Sequence, residues 1–138
     1  MRKFENYASA LDVLSQAPFQ DLTNEFVQGG VIDKFFLQLE LGWKLLKVLL
    51  AYEGDAVAAT GSPRDVLKAA FAYFDFMDET CWLAMLRDRN NTAYVYDGEA
   101  SRALVDTIIK TYLPEFERLR EGLVARYGDL LTQPDANA

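Results

Sequence analysis

The sequence predicts an all-α protein, specifically an up-and-down four-helix bundle with one additional short helix. Three observations favour this fold class: apolar residues recur at steps of three and four, strand-like alternation of useful length is missing, and short turn-like segments separate the periodic stretches. Hydrophobic residues make up 51% of the 138 residues and aromatic residues 13%, enough for the packed core of one domain. We expect that domain to span residues 1–130, followed by a disordered polar tail at residues 131–138.

The first helix is predicted over roughly residues 3–16. Pro18 lies just past its periodic pattern, where a helix would already have stopped, so residues 17–24 should form a short connection. The residues expected on its buried face are Phe4, Tyr7, Ala8, Leu11 and Leu14.

The second helix has the longest apolar pattern. Six residues alternate steps of four and three over nearly three heptads, which is typical of a packing seam in a core or a dimer. Gly42 beside Trp43 suits the close approach of a neighbouring backbone. The helix should end before Gly54, with a loop over residues 55–61. The six seam residues are Ile32, Phe36, Leu39, Trp43, Leu46 and Leu50.

The third and fourth helices have recognisable starting signals. Ser62, Pro63 and Asp65 supply a hydroxyl cap, a proline at the first helical position and an acidic residue at the third. Asp78 is placed to cap the fourth helix, which begins before Trp82.

The last helix is predicted from Glu99 to about Tyr127, after a break at Asp97 and Gly98. Its apolar residues keep helical spacing throughout. Pro114 lies inside this run and should kink it or leave one turn of the backbone without its hydrogen bond.

Composition excludes several functional classes. A net charge of −7 argues against a non-specific nucleic-acid binder, because such a protein needs a basic surface to displace counterions. The chain has no histidine and only Cys81, so it cannot assemble an internal disulfide, a Cys/His zinc site or a Cys-His or Ser-His pair. Cys81 is interpreted as a small buried side chain. No apolar run reaches about 18 residues, and we expect a soluble, cytoplasmic protein without a cofactor or metal.

The stretch WLAMLRDRNNTAYVY at residues 82–96 contains the candidate site. In an unbroken helix Trp82, Leu86 and Arg89 share one face, which Ala93 and Tyr96 continue. The Arg89 guanidinium would then lie along a surface that its apolar neighbours tend to bury. A charged group there needs a carboxylate, a phosphate or backbone carbonyls, because burying it unpaired is very costly.

A purely structural role for this cluster is the alternative. Arg89 would then form an ion pair with Glu40 or with Asp88 of the partner subunit, holding two helices in register. Asn90 and Thr92 taken alone are typical helix-terminating or capping groups. A simple solvent-facing pair is also expected between Glu40 and Lys44, four residues apart on the second helix.

Four blocks together resemble the bacterial nucleotidyltransferase substrate-binding proteins, which belong to the HEPN group of helical nucleotide-binding domains. The resemblance covers most of the chain in matching order and spacing. It implies a small all-helical protein, usually homodimeric, whose partner is a separately encoded minimal nucleotidyltransferase. The blocks are FFLQLELGWKLLKVLLAYEG at 35–54, SPRDVLKAAF at 62–71, the stretch at 82–96, and YLPEFERL at 112–119.

In the toxin and antitoxin branch of this group, the helical protein is a ribonuclease with the motif Arg, Asn, three residues, His, any residue, Tyr. Arg89 and Asn90 match its start and Tyr96 its end, the tyrosine to which the partner enzyme attaches nucleotide. The histidine position falls on Tyr94. A phenol, with a pKa of about 10, exchanges protons near neutral pH far less readily than imidazole at about 6.5. Losing that acid-base help should cost roughly 100- to 10,000-fold, so we expect little or no ribonuclease activity.

The resemblance therefore favours a non-catalytic substrate-binding or regulatory subunit, with catalysis in the nucleotidyltransferase partner. Its polar cleft would lie at a dimer interface and bind nucleotide or RNA phosphate. The alternatives are a HEPN-type ribonuclease toxin of a toxin-antitoxin pair, with Arg89, Asn90 and Tyr94 as catalytic candidates, and a helical interaction module with a purely structural cluster. The residues proposed for binding are Asp88, Arg89, Asn90 and Thr92.

Overall fold

The chain folds as an all-α bundle in the computed structural model, which describes residues 1–91 and 97–135. No strand occurs in these residues, so the predicted fold class is confirmed. Short 3₁₀ turns at Ala17–Phe19 and Gly128–Thr132 and a π-turn at Ile108–Tyr112 complete the helical structure. The helices are α1 (Arg2–Leu14), α2 (Glu25–Tyr52), α3 (Val57–Thr60), α4 (Pro63–Tyr73), α5 (Glu79–Asn90), α6 (Gly98–Thr107) and α7 (Leu113–Tyr127).

Helix α2 is the central element, and it packs against α1, α3, α4, α5 and α6. The seam predicted along it belongs to the core of the single protomer. Phe36 and Trp43 are only half-buried. Of the two roles predicted for this seam, core or dimer, the core role is confirmed for its aliphatic side chains, which pack within the chain. The four buried seam residues are Ile32, Leu39, Leu46 and Leu50.

Side-chain caps fix where the helices begin, largely as the sequence predicted. Ser62 and Asp65 form a reciprocal capping box at the start of α4, and Asp78 accepts a hydrogen bond from the Cys81 amide at the start of α5. Asp97 caps α6 in the same way. Gly54, with a φ of +84°, follows the end of α2. The predicted loop after it contains the single-turn helix α3.

Two details of packing differ from expectation. A Cβ on Gly42 would lie 3.3 Å from the Tyr7 ring and 3.5 Å from the Trp82 ring, so side chains rather than a backbone approach this glycine. Leu131 is buried, and the amino group of Met1 donates to its carbonyl at 2.9 Å. Regular packing therefore continues past residue 130, through the 3₁₀ turn that ends at Thr132.

The long helical run from residue 98 to 127 is interrupted just before Pro114. Proline has no amide hydrogen and its ring crowds the preceding turn, so a regular α-helix cannot continue through it. The π-turn Ile108–Tyr112 accommodates this defect, in agreement with the predicted disturbance. One consequence is that Tyr112 is buried against α5.

Candidate anion-binding groove

A groove of about 400 Å³ lies between the start of α4 and the last two turns of α5. Its polar side chains include three arginines, although the protein as a whole carries a net charge of −7. Its apolar wall is formed by a proline and two leucines. The lining residues are Ser62, Pro63, Arg64, Leu83, Leu86, Arg87, Arg89 and Asn90.

Arg89 is held at the edge of the core by the helix that carries it. Trp82 and Leu86, at helical spacing before it, are buried, whereas Arg89 itself is half-buried. No carboxylate in residues 1–91 and 97–135 forms an ion pair with its guanidinium. The predicted pair with Glu40 is wrong, because Glu40 pairs with Lys44 at 2.9 Å, the solvent-facing pair that the sequence indicated. The hydrogen bond from Lys44 is the main cause that lowers the Glu40 pKa, and the Arg89 charge adds to it from further away.

Arg64 and Arg87 bring two more positive charges to the groove, and both side chains are exposed. A guanidinium chelates oxyanions through paired hydrogen bonds, so three of them around one concavity suit a phosphate or carboxylate. The start of α4 adds little to this field, because the Asp65 carboxylate caps it. The positive charge of the groove therefore comes mainly from the three arginines and little from the start of α4.

Asp88, which was predicted to bind alongside Arg89, lies behind the groove rather than in it. It is buried, and its carboxylate accepts a hydrogen bond from the Tyr112 hydroxyl and lies 3.6 Å from the Arg87 guanidinium. Burial, followed by the hydrogen bond to Asp88, raises the pKa of Tyr112. The contact ties the end of α5 to the π-turn. Thr92, Tyr94 and Tyr96 lie outside the described residues.

A second carboxylate, which was not predicted from the sequence, positions α5. Glu115 is buried and accepts hydrogen bonds from the Asp78 amide at 2.8 Å, from the Trp82 indole at 3.0 Å and from the Arg118 guanidinium. It thereby fixes the first turn of the helix that carries Arg89. The available signal was its spacing, since Tyr112, Glu115 and Leu119 share one helical face.

The described lining of the groove offers hydrogen-bond donors and positive charge. Its described lining residues are serine, proline, leucine, arginine and asparagine, without a histidine, cysteine or carboxylate. Cys81 is half-buried on the same helix, and burial, reinforced by the charges of Glu115 and Asp78, raises its pKa to about 12. Within the described ranges, no cluster of three or more His, Cys, Asp or Glu residues is suited to a metal. No helix there is both long and apolar enough to cross a membrane.

The fold and the groove define a small all-α bundle protein with a cationic concavity on one side. Its sequence matches the family model described as "Nucleotidyltransferase substrate binding protein like" over residues 2–125, and the protein belongs to that family. The resemblance inferred from the four sequence blocks is thus confirmed. A search of curated proteins finds no match.

Proposed function

We propose that this protein is the non-catalytic substrate-binding subunit of a two-component minimal nucleotidyltransferase system. The groove would hold an anionic part of the substrate, most simply a phosphate, beside an apolar wall that accepts a sugar or base. The observation that carries this proposal is the half-buried Arg89, which has no ion pair with any carboxylate of the described chain and opens onto a groove with two further arginines.

The volume and lining support a small phosphorylated ligand. About 400 Å³ lies in the range of small-molecule sites and exceeds what one inorganic phosphate needs. Leu83, Leu86 and Pro63 give the remaining space an apolar side. Arg64, Arg87 and Arg89 would each compete with water for the anion, and a charge-assisted contact of this kind contributes about 1.5–3 kcal/mol.

We further propose that two copies associate so that the Arg89 and Asn90 side chains of both chains face a shared cleft. Asn90 and Arg87 are exposed at the mouth of the groove, which leaves them accessible to a second subunit. Tyr96 would then be the residue that accepts nucleotide from the partner enzyme. Light scattering gives the oligomeric state, and the intact mass of protein from its native host reveals any added nucleotide.

Reconstitution tests the main proposal. Purified protein is mixed with each minimal nucleotidyltransferase of the source organism, and transfer of labelled nucleotide is measured with either component omitted. We expect transfer to need both components and to fall in Arg89→Ala, but not in Arg102→Ala, an exposed arginine on α6 that serves as control. Absence of any binding nucleotidyltransferase contradicts the proposal. RNA cleavage by the protein alone, lost in Arg89→Ala, assigns it to the ribonuclease alternative.

A further inference from the structure

Helix α2 exposes a second heptad pattern on the side opposite its buried seam. The residues of this second pattern, which we call the outer stripe, follow one another at steps of four, three, four, three and four. They therefore form one continuous row along the helix. Leu37 is 47% exposed and Val48 38% exposed, and Leu41 between them is half-buried. The outer stripe consists of Gly30, Lys34, Leu37, Leu41, Lys44 and Val48.

The exposed row continues by one turn at each end. Phe26 is 92% exposed before it, and Tyr52 is exposed after it. Single exposed apolar residues are ordinary on protein surfaces, but a row at heptad spacing along a 28-residue helix is typical of a helix packed on two sides. In the described chain most packing partners of α2 lie on its inner side. On the outer side Leu41 packs partly against the core, and the Tyr52 ring contacts the Tyr127 ring. Leu37 and Val48 remain exposed.

Gly30 is a second indication that another helix packs against the outer stripe. Glycine in a helix interior is about 1 kcal/mol less favourable than alanine. Nothing in the described chain lies within 4 Å of a Cβ built there, and its φ is not positive. The residue borders an open cavity of about 330 Å³ that Val13 and Lys34 also line. Close approach of another helix would explain the glycine, because a glycine lets two backbones come nearer.

The charges on the outer stripe select its occupant. Its charged members are both lysines, and Lys34 has no ion pair within the described residues. Two copies packed antiparallel with Leu37 against Leu41 would set Lys34 against Lys44, whose charge Glu40 only partly offsets, and parallel packing would set Lys34, which is unpaired among the described residues, against its own copy. Like charges placed in this way are unfavourable. Shifting the antiparallel register by one heptad places a lysine opposite Leu37 or Leu41, which is no better.

We propose that the outer stripe is the docking surface for an amphipathic helix of the nucleotidyltransferase partner, with apolar residues facing Leu37 and Val48 and carboxylates facing Lys34. The identity of this partner rests on the proposed function. The location suits it, since Lys44 at the edge of the stripe pairs with Glu40, which lies on the side of α2 towards Arg89. An enzyme docked here would lie beside the substrate groove.

Binding to the purified minimal nucleotidyltransferases of the source organism, measured by titration calorimetry, tests this inference. We expect Leu37→Glu and Lys34→Glu each to weaken binding at least tenfold. Leu37→Glu places a charge against apolar residues of the partner, and Lys34→Glu places a carboxylate opposite carboxylates of the partner. Val124→Glu on α7 is the matched control, since Val124 is 48% exposed and lies outside the stripe. Lys34 is exposed, so its substitution tests docking with little effect on folding.

Each outcome is decisive. If the wild-type protein binds a nucleotidyltransferase and both stripe variants bind it equally well, the docking surface is overturned while the proposed function stands. If no nucleotidyltransferase binds the wild-type protein, the proposed function falls and the docking inference falls with it. If the wild-type protein alone forms a dimer that Leu37→Glu converts to monomers, the stripe belongs to a second copy instead.

Discussion

Replacing Glu115 with alanine should destabilise the protein more than any surface substitution. The change removes the acceptor for the buried Trp82 indole N–H at 3.0 Å and for the part-buried Asp78 amide at 2.8 Å. Each buried donor left without a partner costs about 1–3 kcal/mol, so we expect the loss of both acceptor contacts to cost about 2–6 kcal/mol. The half-exposed Arg118 contributes little to this figure. A domain of this size is stable by only about 5–15 kcal/mol, so the loss is large.

Urea denaturation followed by tryptophan fluorescence measures this change in the free energy of unfolding. Glu121→Ala, an exposed carboxylate on the same helix, is the control and should change stability by less than about 0.5 kcal/mol. Combining Glu115→Ala with Trp82→Phe in a double-mutant cycle should show coupling of about 1–3 kcal/mol. A Glu115→Ala variant as stable as Glu121→Ala would refute the reasoning, because the buried donors would then have found other partners.

Further predictions concern packing and pKa values. Gly122→Ala should lower the Tm, because a Cβ there would overlap the Phe76 ring and overpacking costs about 1–3 kcal/mol of stability. Gly29→Ala should raise the Tm, because nothing described lies within 4 Å of a Cβ there and alanine gains about 1 kcal/mol of helix propensity. Tyr112→Phe should destabilise by about 1–3 kcal/mol in urea denaturation by removing a donor from buried Asp88. With a folded pKa of about 12, the Cys81 thiol should react with iodoacetamide near pH 8 about a thousandfold more slowly than an ordinary thiol. Because this folded pKa is raised above the unfolded value, its stabilising contribution is complete below about pH 9 and is lost as the pH rises towards 12, which denaturation of the wild type and Cys81→Ala across that range would show.

The helix starts were predictable because their signals are local. Ser62 with Asp65, and Asp78, each act within three residues of the helix they cap. Which face of α2 is buried and which is exposed was not predictable in the same way. Two heptad patterns run along this helix, one through Leu39 and one through Leu37, and periodicity alone does not reveal which is buried by neighbouring helices.

The candidate site was predicted only in part, for a similar reason. Arg89 and Asn90 were identified from their own helix, but Arg64 joins them only because the start of α4 packs beside the end of α5. Asp88 was grouped with Arg89 because they are adjacent in sequence, although neighbours on a helix point about 100° apart. Glu115 is also a charged residue on an apolar helical face, the same signal that identified Arg89.

The most direct test of the Arg89 groove is titration calorimetry with ATP as the phosphate-bearing probe, alongside the Tm of each variant. We predict that Arg89→Ala weakens ATP binding by about 10- to 100-fold, the equivalent of about 1.5–3 kcal/mol, while its Tm stays within a few degrees of wild type. Arg102→Ala should bind like the wild-type protein. Unchanged ATP binding in Arg89→Ala, together with a large fall in Tm, would contradict the assignment and make Arg89 a structural residue.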